Sequence, residues 1–188
     1  DFYSSTGSIV IGANAQTIPN TDLQFARVDY AVVIGYGASA SYQGSWLGSA
    51  GSGGSRSISI GYNSQARGSD QIAIGSYAVA SGYSGERGGS AIAIGNYADA
   101  SREGIAIGHS ASVAERNIAI GRNAKIDYDS IYSVAIGDGA TVETDDRSNA
   151  VALGANSRAV EEYTLSIGRE AYEVTDDDGD TTKYSAFT

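Results

Sequence analysis

Ten times along the chain a large aliphatic residue, a small residue, a second large aliphatic and a glycine follow one another, ending at Gly12, Gly35, Gly61, Gly75, Gly95, Gly108, Gly121, Gly137, Gly154 and Gly168. The two large positions hold 15 Ile, 3 Val and 2 Leu, and none of the twenty is polar. Between them stand six Ala, two Ser (Ser59, Ser166) and two Val (Val10, Val33). Alternation of period two that runs into a glycine predicts a short strand entering a tight turn. Three residues after each glycine comes Ala eight times and Ser twice (Ser64, Ser157). The Ala-x-Ala or Ala-x-Val that follows in most units, as in Ala98–Ala100 and Ala140–Val142, predicts a second short strand.

Successive glycines are 23, 26, 14, 20, 13, 13, 16, 17 and 14 residues apart, a basic unit of 13–14 with insertions in the longer intervals. Two strands per unit, stacked unit on unit, give an all-β fold: a parallel β-roll or solenoid of about ten 13–14-residue coils. Nine steps at roughly 4.8 Å make a rod about 43 Å long. So short a coil encloses no wide lumen, and the two sheets lie face to face. The expected packing sets the Ile pairs of one sheet against Ala or Ser of the other. The opposite face of the Ile strand, small in every coil, then reads as a site of close approach by another backbone. On this reading the chain oligomerises along its length, with Ala73, Ala93, Ala106, Ala119, Ala135 and Ala152 in the interface.

Composition narrows the classes. The 188 residues include 25 Gly but a single Pro, which suits many turns between paired strands and does not suit helices. There is no Cys, hence neither disulfide nor thiolate chemistry. A formal net charge of -10 argues against nucleic acid and against an anionic membrane surface as partners. No apolar run approaches the length of a membrane span. The chain opens at Asp1 without an initiator Met or a leader, and reads as a piece of something longer.

The unit SVAIGDGA (Ser133 to Ala140), repeated as NIAIGRNA (Asn117 to Ala124), resembles the head repeat of trimeric autotransporter adhesins of the YadA type. The resemblance spans roughly Ser8 to Ala171. It implies a left-handed β-roll assembled as a homotrimer, a non-catalytic head at the tip of a fibre on a Gram-negative outer membrane. It also implies attachment to host extracellular matrix, cell-surface glycans, other surfaces or sister fibres, with no cofactor and membrane contact only through a C-terminal anchor outside this chain. Residues 1–171 form the head on this reading. Residues 172–188 leave the repeat, and are expected to make a hairpin around Asp178-Gly179 that leads toward a neck and stalk. The same repeat occurs in phage tail fibres, so a receptor-binding fibre segment is the alternative.

Insertions interrupt the N-terminal half between Ala15 and Val32, Ala40 and Ile58, and Ala80 and Ile92. Loops on a rigid scaffold commonly carry binding residues. Tyr42, Trp46, Leu47, Tyr83 and Arg87 in these insertions are therefore candidate ligand contacts, while Trp46 and Leu47 equally suit a cap on the roll. Tyr36, Tyr62, Tyr77, Tyr97, Tyr128 and Tyr132 fall after the glycine or in loops, and Tyr77 and Tyr97, repeated at coil spacing, are expected to stack. They read as turn packing or as an aromatic surface for protein or sugar. Asp176, Asp178 and Asp180 have the acidic density of a Ca²⁺ loop but lack the twelfth-position Glu and flanking helices, so a solvated turn is the plainer account and no metal is assigned. His109, the single His, invites comparison with hexapeptide-repeat acyltransferases, whose coils are runs of contiguous hexads. It occupies the post-glycine slot filled elsewhere by Asn96, Arg122 and Asp138, and an enzyme is not expected.

Overall fold

A computed structural model describes residues 6–18, 28–41, 55–82, 89–144 and 149–168, together with the backbone of 172–175 and 181–184. The chain forms an all-β parallel solenoid. Every hydrophobic–small–hydrophobic triplet is a three-residue strand, from Ile9–Ile11 and Val32–Ile34 through Ile105–Ile107 and Ile118–Ile120 to Leu165–Ile167. These ten strands make one sheet, stacked in sequence order. The segments after each glycine make a second sheet of nine strands, from Gln16–Ile18 through Gln65–Arg67, Asp99–Ser101 and Lys125–Ile126 to Arg158–Ala159. The chain passes from one sheet to the other and back in each coil, so each strand pairs with the equivalent strands of the coils before and after.

All this pairing is parallel and in strict register: Ile105 lies beside Ile92 and Ile118, Ala106 beside Ala93 and Ala119. Insertions between coils leave the register of the flanking strands intact. Strands Tyr172–Thr175 and Thr181–Tyr184 pair antiparallel as a separate two-stranded ribbon.

The glycine column shows why glycine ends each Ile strand. Gly95, Gly108, Gly121 and Gly137 have φ between +137° and +142°, a region open to glycine but strained for L side chains. A Cβ on Gly108 would lie 2.3 Å from the carbonyl oxygen of Gly121 in the next coil. The turn closes with the Ala111 N–H donating to the Gly108 carbonyl at 3.3 Å, and the Gly121 N–H donates to Ile107 at 2.8 Å, so coil pairing runs on through the corner.

The core corrects the expected packing. Ala73, Ala93, Ala106, Ala119, Ala135 and Ala152 are completely buried within the single chain. They point into the roll, against Ala66, Ala80, Ala100, Val113, Ile126, Val142 and Ala159 of the second sheet. The Ile pairs point outward. Buried within the single chain, these alanines leave no exposed surface for the subunit contact expected of them. The reason is thickness: sheets joined by corners of a few residues stand too close for Ile on the inside, and small side chains fill the gap at native density.

Serine replaces alanine at one level. Ser55, Ser57, Ser59 and Ser64 are buried. Ser59 and Ser64 pair their hydroxyls across the interior at 2.9 Å, and Ser57 donates to the Gly68 carbonyl at 2.8 Å. This layer separates the cluster of Val28, Ala31, Val33, Ala38 and Ala40 from the longer core running from Ala66 to Ala159. No buried side-chain polar atom among the described residues lacks a partner.

Candidate binding surfaces

Three outer surfaces follow from this fold. The first is the outward face of the ten-stranded sheet. In-register pairing stacks Ile9, Val32, Ile58, Ile72, Ile92, Ile105, Ile118, Val134, Val151 and Leu165 in one rank, with the residues two positions later in a second. No charged or polar residue enters either rank. Stacking half-covers the central members, while Ile9, Ile11, Leu165 and Ile167 near the ends are 52–60% exposed. A rod about 43 Å long with a double rank about 10 Å wide presents on the order of 400 Å² of continuous apolar surface. That is as large as the functional patches of ordinary monomers.

The second surface is the corner after the glycines. Tyr36 stacks on Tyr62 with ring centroids 5.4 Å apart and planes 10° from parallel. Tyr62 meets Tyr77 edge-on at 5.3 Å, and Tyr77 stacks on Tyr97 at 5.0 Å and 3°. His109 continues the line edge-on to Tyr97 at 6.5 Å, and its Nδ1 lies 3.1 Å from the Ser110 hydroxyl. The neighbouring Tyr77 hydroxyl holds the pKa of the Tyr62 phenol above the usual tyrosine value. Four tyrosines from four successive coils thus form one exposed ladder. Tyr36 and Tyr62 directly follow their glycines, whereas Tyr77 and Tyr97 come one residue later. The rungs meet only because the long ring bridges that offset.

The third surface is the opposite corner, where the chain returns to the Ile sheet. It is charged. Arg56 makes a bidentate pair with Asp70 of the next coil at 2.7 and 2.8 Å. Arg116 donates to Glu103 at 2.9 Å and to the Tyr132 hydroxyl at 3.2 Å, with its guanidinium 5.8 Å over the Tyr132 ring. Arg102 reaches Glu115 at 3.2 Å. Exposed pairs of this kind add little stability singly but keep neighbouring corners in register.

Two buried amides escaped the sequence reading. Asn117 donates to the Ser130 carbonyl at 2.6 Å and accepts from the Ser133 N–H at 2.8 Å. Gln71 donates to the Gly89 carbonyl at 2.6 Å and accepts from the Ala91 N–H at 2.8 Å. Each precedes an interval longer than the basic unit, and its side chain binds backbone of the following coil where an insertion returns. The sequence signal was available: a large amide at a position that holds Ala, Ser or Gly in most other coils.

Tyr42, Trp46, Leu47, Tyr83 and Arg87, proposed as ligand contacts, lie outside the described residues, as do Asp176, Asp178 and Asp180. Tyr128 is highly exposed and apart from the ladder.

A family model described as the YadA head domain repeat matches the chain twice, at residues 52–78 and 148–171. No curated protein matches the sequence. Among solved structures, the collagen-binding domain of the Yersinia adhesin YadA superposes with a TM-score of 0.62 at 23% identity, over 93% of this chain and 92% of that one. Two segments of the chain thus match the YadA head repeat, and the fold as a whole is similar to that of the YadA head.

Proposed function

We propose that this protein is the non-catalytic head of a surface adhesin, acting as a homotrimer displayed on a Gram-negative outer membrane. The observation that supports this reading best is the unbroken double rank of Ile, Val and Leu on the outside of the ten-stranded sheet. Water disfavours so continuous an apolar stripe, and identical copies laid side by side cover it with their own equivalent stripes. Burial of each large aliphatic contributes roughly 1.5–3 kcal/mol, so even half-burial of twenty positions per chain outweighs the entropy of association. Residues 1–171 form the head, and 172–188 lead the chain out of it.

The ligand class proposed is host extracellular-matrix protein, because the solved domain with the same fold binds collagen. Attachment by three copies per fibre lets weak individual contacts add up. The test is adhesion of the purified oligomer to surfaces coated with collagen, fibronectin or laminin, against an albumin-coated control. Saturable retention on at least one matrix protein supports the reading. Retention no better than on albumin for all three overturns the matrix-adhesin assignment.

A further inference from the structure

We propose that the tyrosine ladder at the first corner is a carbohydrate-binding strip, which takes an extended, uncharged, β-linked glycan lying along the axis of the roll. Several independent features lead there. The rungs Tyr36, Tyr62, Tyr77 and Tyr97 are 50, 46, 39 and 55% exposed, so half of each side chain stays open to solvent after stacking.

Backbone preference runs against these residues. Tyr77 and Tyr97 sit at φ of +57° and +58°, where the equivalent turn positions of other coils hold Asn14, Asn63, Asn123 and Asn156, Gly37 and Gly139, or Ser110. The left-handed region suits Asn and Gly and is unfavourable for a bulky side chain. Tyrosine stands at positive φ at the opposite corner too, in Tyr30, Tyr132 and Tyr163, and what sets Tyr77 and Tyr97 apart is that they occupy consecutive coils with their rings stacked.

The chemistry of the strip selects the ligand class. In a chain of net charge -10, the corner from Tyr36 to Ser110 carries no charged residue at either post-glycine position. Its polar groups are the amides of Asn63 and Asn96, the hydroxyls of Ser76 and Ser110, the four phenols and His109. The opposite corner is laced with Arg–carboxylate pairs, so the neutrality is local. Stacking turns the ring faces toward one another and leaves edges and phenol hydroxyls to solvent. Such edges beside neutral donors and acceptors suit sugars, which exchange hydrogen bonds through hydroxyls and lay C–H groups against aromatic carbon. A nucleic acid or acidic polysaccharide needs cations that this strip lacks.

Spacing completes the match. Ring centroids recur every 5.0–5.4 Å because parallel strands stack at that interval. Successive chairs of an extended β-linked polysaccharide advance by a similar step. Successive sugars can therefore meet successive rungs.

The proposal extends the attachment reading but is tested on the free chain in solution, so a failure of matrix adhesion leaves this result standing. The whole chain is titrated by calorimetry with β-1,4-linked hexamers of glucose and of N-acetylglucosamine. An acidic hyaluronan hexamer and a proline-rich decapeptide serve as comparison ligands. Saturable binding of a neutral hexamer is expected, weakened at least about tenfold in the double variant Tyr77→Asn/Tyr97→Asn. That variant restores the residue type favoured by the turn, so its circular dichroism and oligomer mass should match the parent. Tyr163→Asn, at the opposite corner, should bind as the parent does. Four results overturn the proposal: no binding of either neutral hexamer at millimolar concentration, equal binding by parent and double variant, ladder-dependent binding of the peptide alone, or loss of the oligomer in the double variant, which would make the ladder a subunit contact.

Discussion

Gly108→Ala adds one carbon to the tightest column of the fold. The new Cβ would lie 2.3 Å from the Gly121 carbonyl oxygen, 2.6 Å from its carbon and 3.2 Å from the Arg122 nitrogen, all backbone atoms of the next coil. No side-chain rotation relieves that contact. Either φ leaves +137° or the two coils separate. Backbone strain of this kind costs about 1–3 kcal/mol, and an overpacked contact adds about 1–3 more. We expect a loss of about 2–6 kcal/mol, which for a chain of this size lowers Tm by roughly 5–20 °C. Gly139→Asn is the control. Gly139 has φ +65°, its added Cβ would meet only the Asn156 side-chain oxygen at 2.7 Å, and Asn123 holds the same turn position in the preceding coil. This change should cost under about 1 kcal/mol. Thermal unfolding of the parent and both variants by circular dichroism decides the matter. Equal, small shifts for the two would refute the argument that coil-to-coil contact dictates the glycine column.

Asn117→Ala removes the buried bonds to the Ser130 carbonyl and from the Ser133 N–H, an expected loss of about 2–4 kcal/mol in urea unfolding; under about 1 kcal/mol would mean the inserted segment is not held there. Asp99 has its carboxyl pushed up from the ordinary Asp value by desolvation, only partly opposed by Arg67. A raised folded pKa gives stability that is full below the unfolded value and lost as pH rises through the folded one. Asp99 holds an exposed strand position, so Asp99→Asn should gain only slightly at pH 7 and lose that gain near pH 3, and a variant weaker at pH 7 contradicts this. Ala106→Glu places a carboxylate in a fully buried interior position and should abolish the folded spectrum outright rather than merely split an oligomer; a folded monomer would restore the alanines to an interface.

Much of this fold is written in the spacing. The ten aliphatic triplets are the ten strands of the first sheet, and the small residues after each glycine open the second. Which face of the triplet points inward was misread, because size was taken as the guide to burial. In a roll this thin the interior holds Ala, and Ile is displaced to the outside. The cue lies four residues before each glycine, in phase with the alanines: Ala31, Ser57, Ala91, Gly104, Ser133 and Ala150 are small and buried too. Small residues continue along one face through the corner, whereas the Ile face stops at the strand's ends. Stacking of Tyr77 on Tyr97 was legible from coil spacing. The joining of Tyr36 and Tyr62 to them was not, since those residues occupy a different turn position and only ring length closes the gap.

The central claim is that the outward Ile ranks, and not the alanines, hold copies of this chain together. Ile105 and Ile118 are adjacent in one rank, and Glu at both would set two charges on the apolar stripe without touching the interior. Light-scattering mass of the parent beside Ile105→Glu/Ile118→Glu is the most direct measurement. A parent near three times 19.3 kDa and a variant near 19.3 kDa, both with the same β spectrum, is the predicted result. A monomeric parent, or a variant that keeps the full oligomer mass, would contradict the claim.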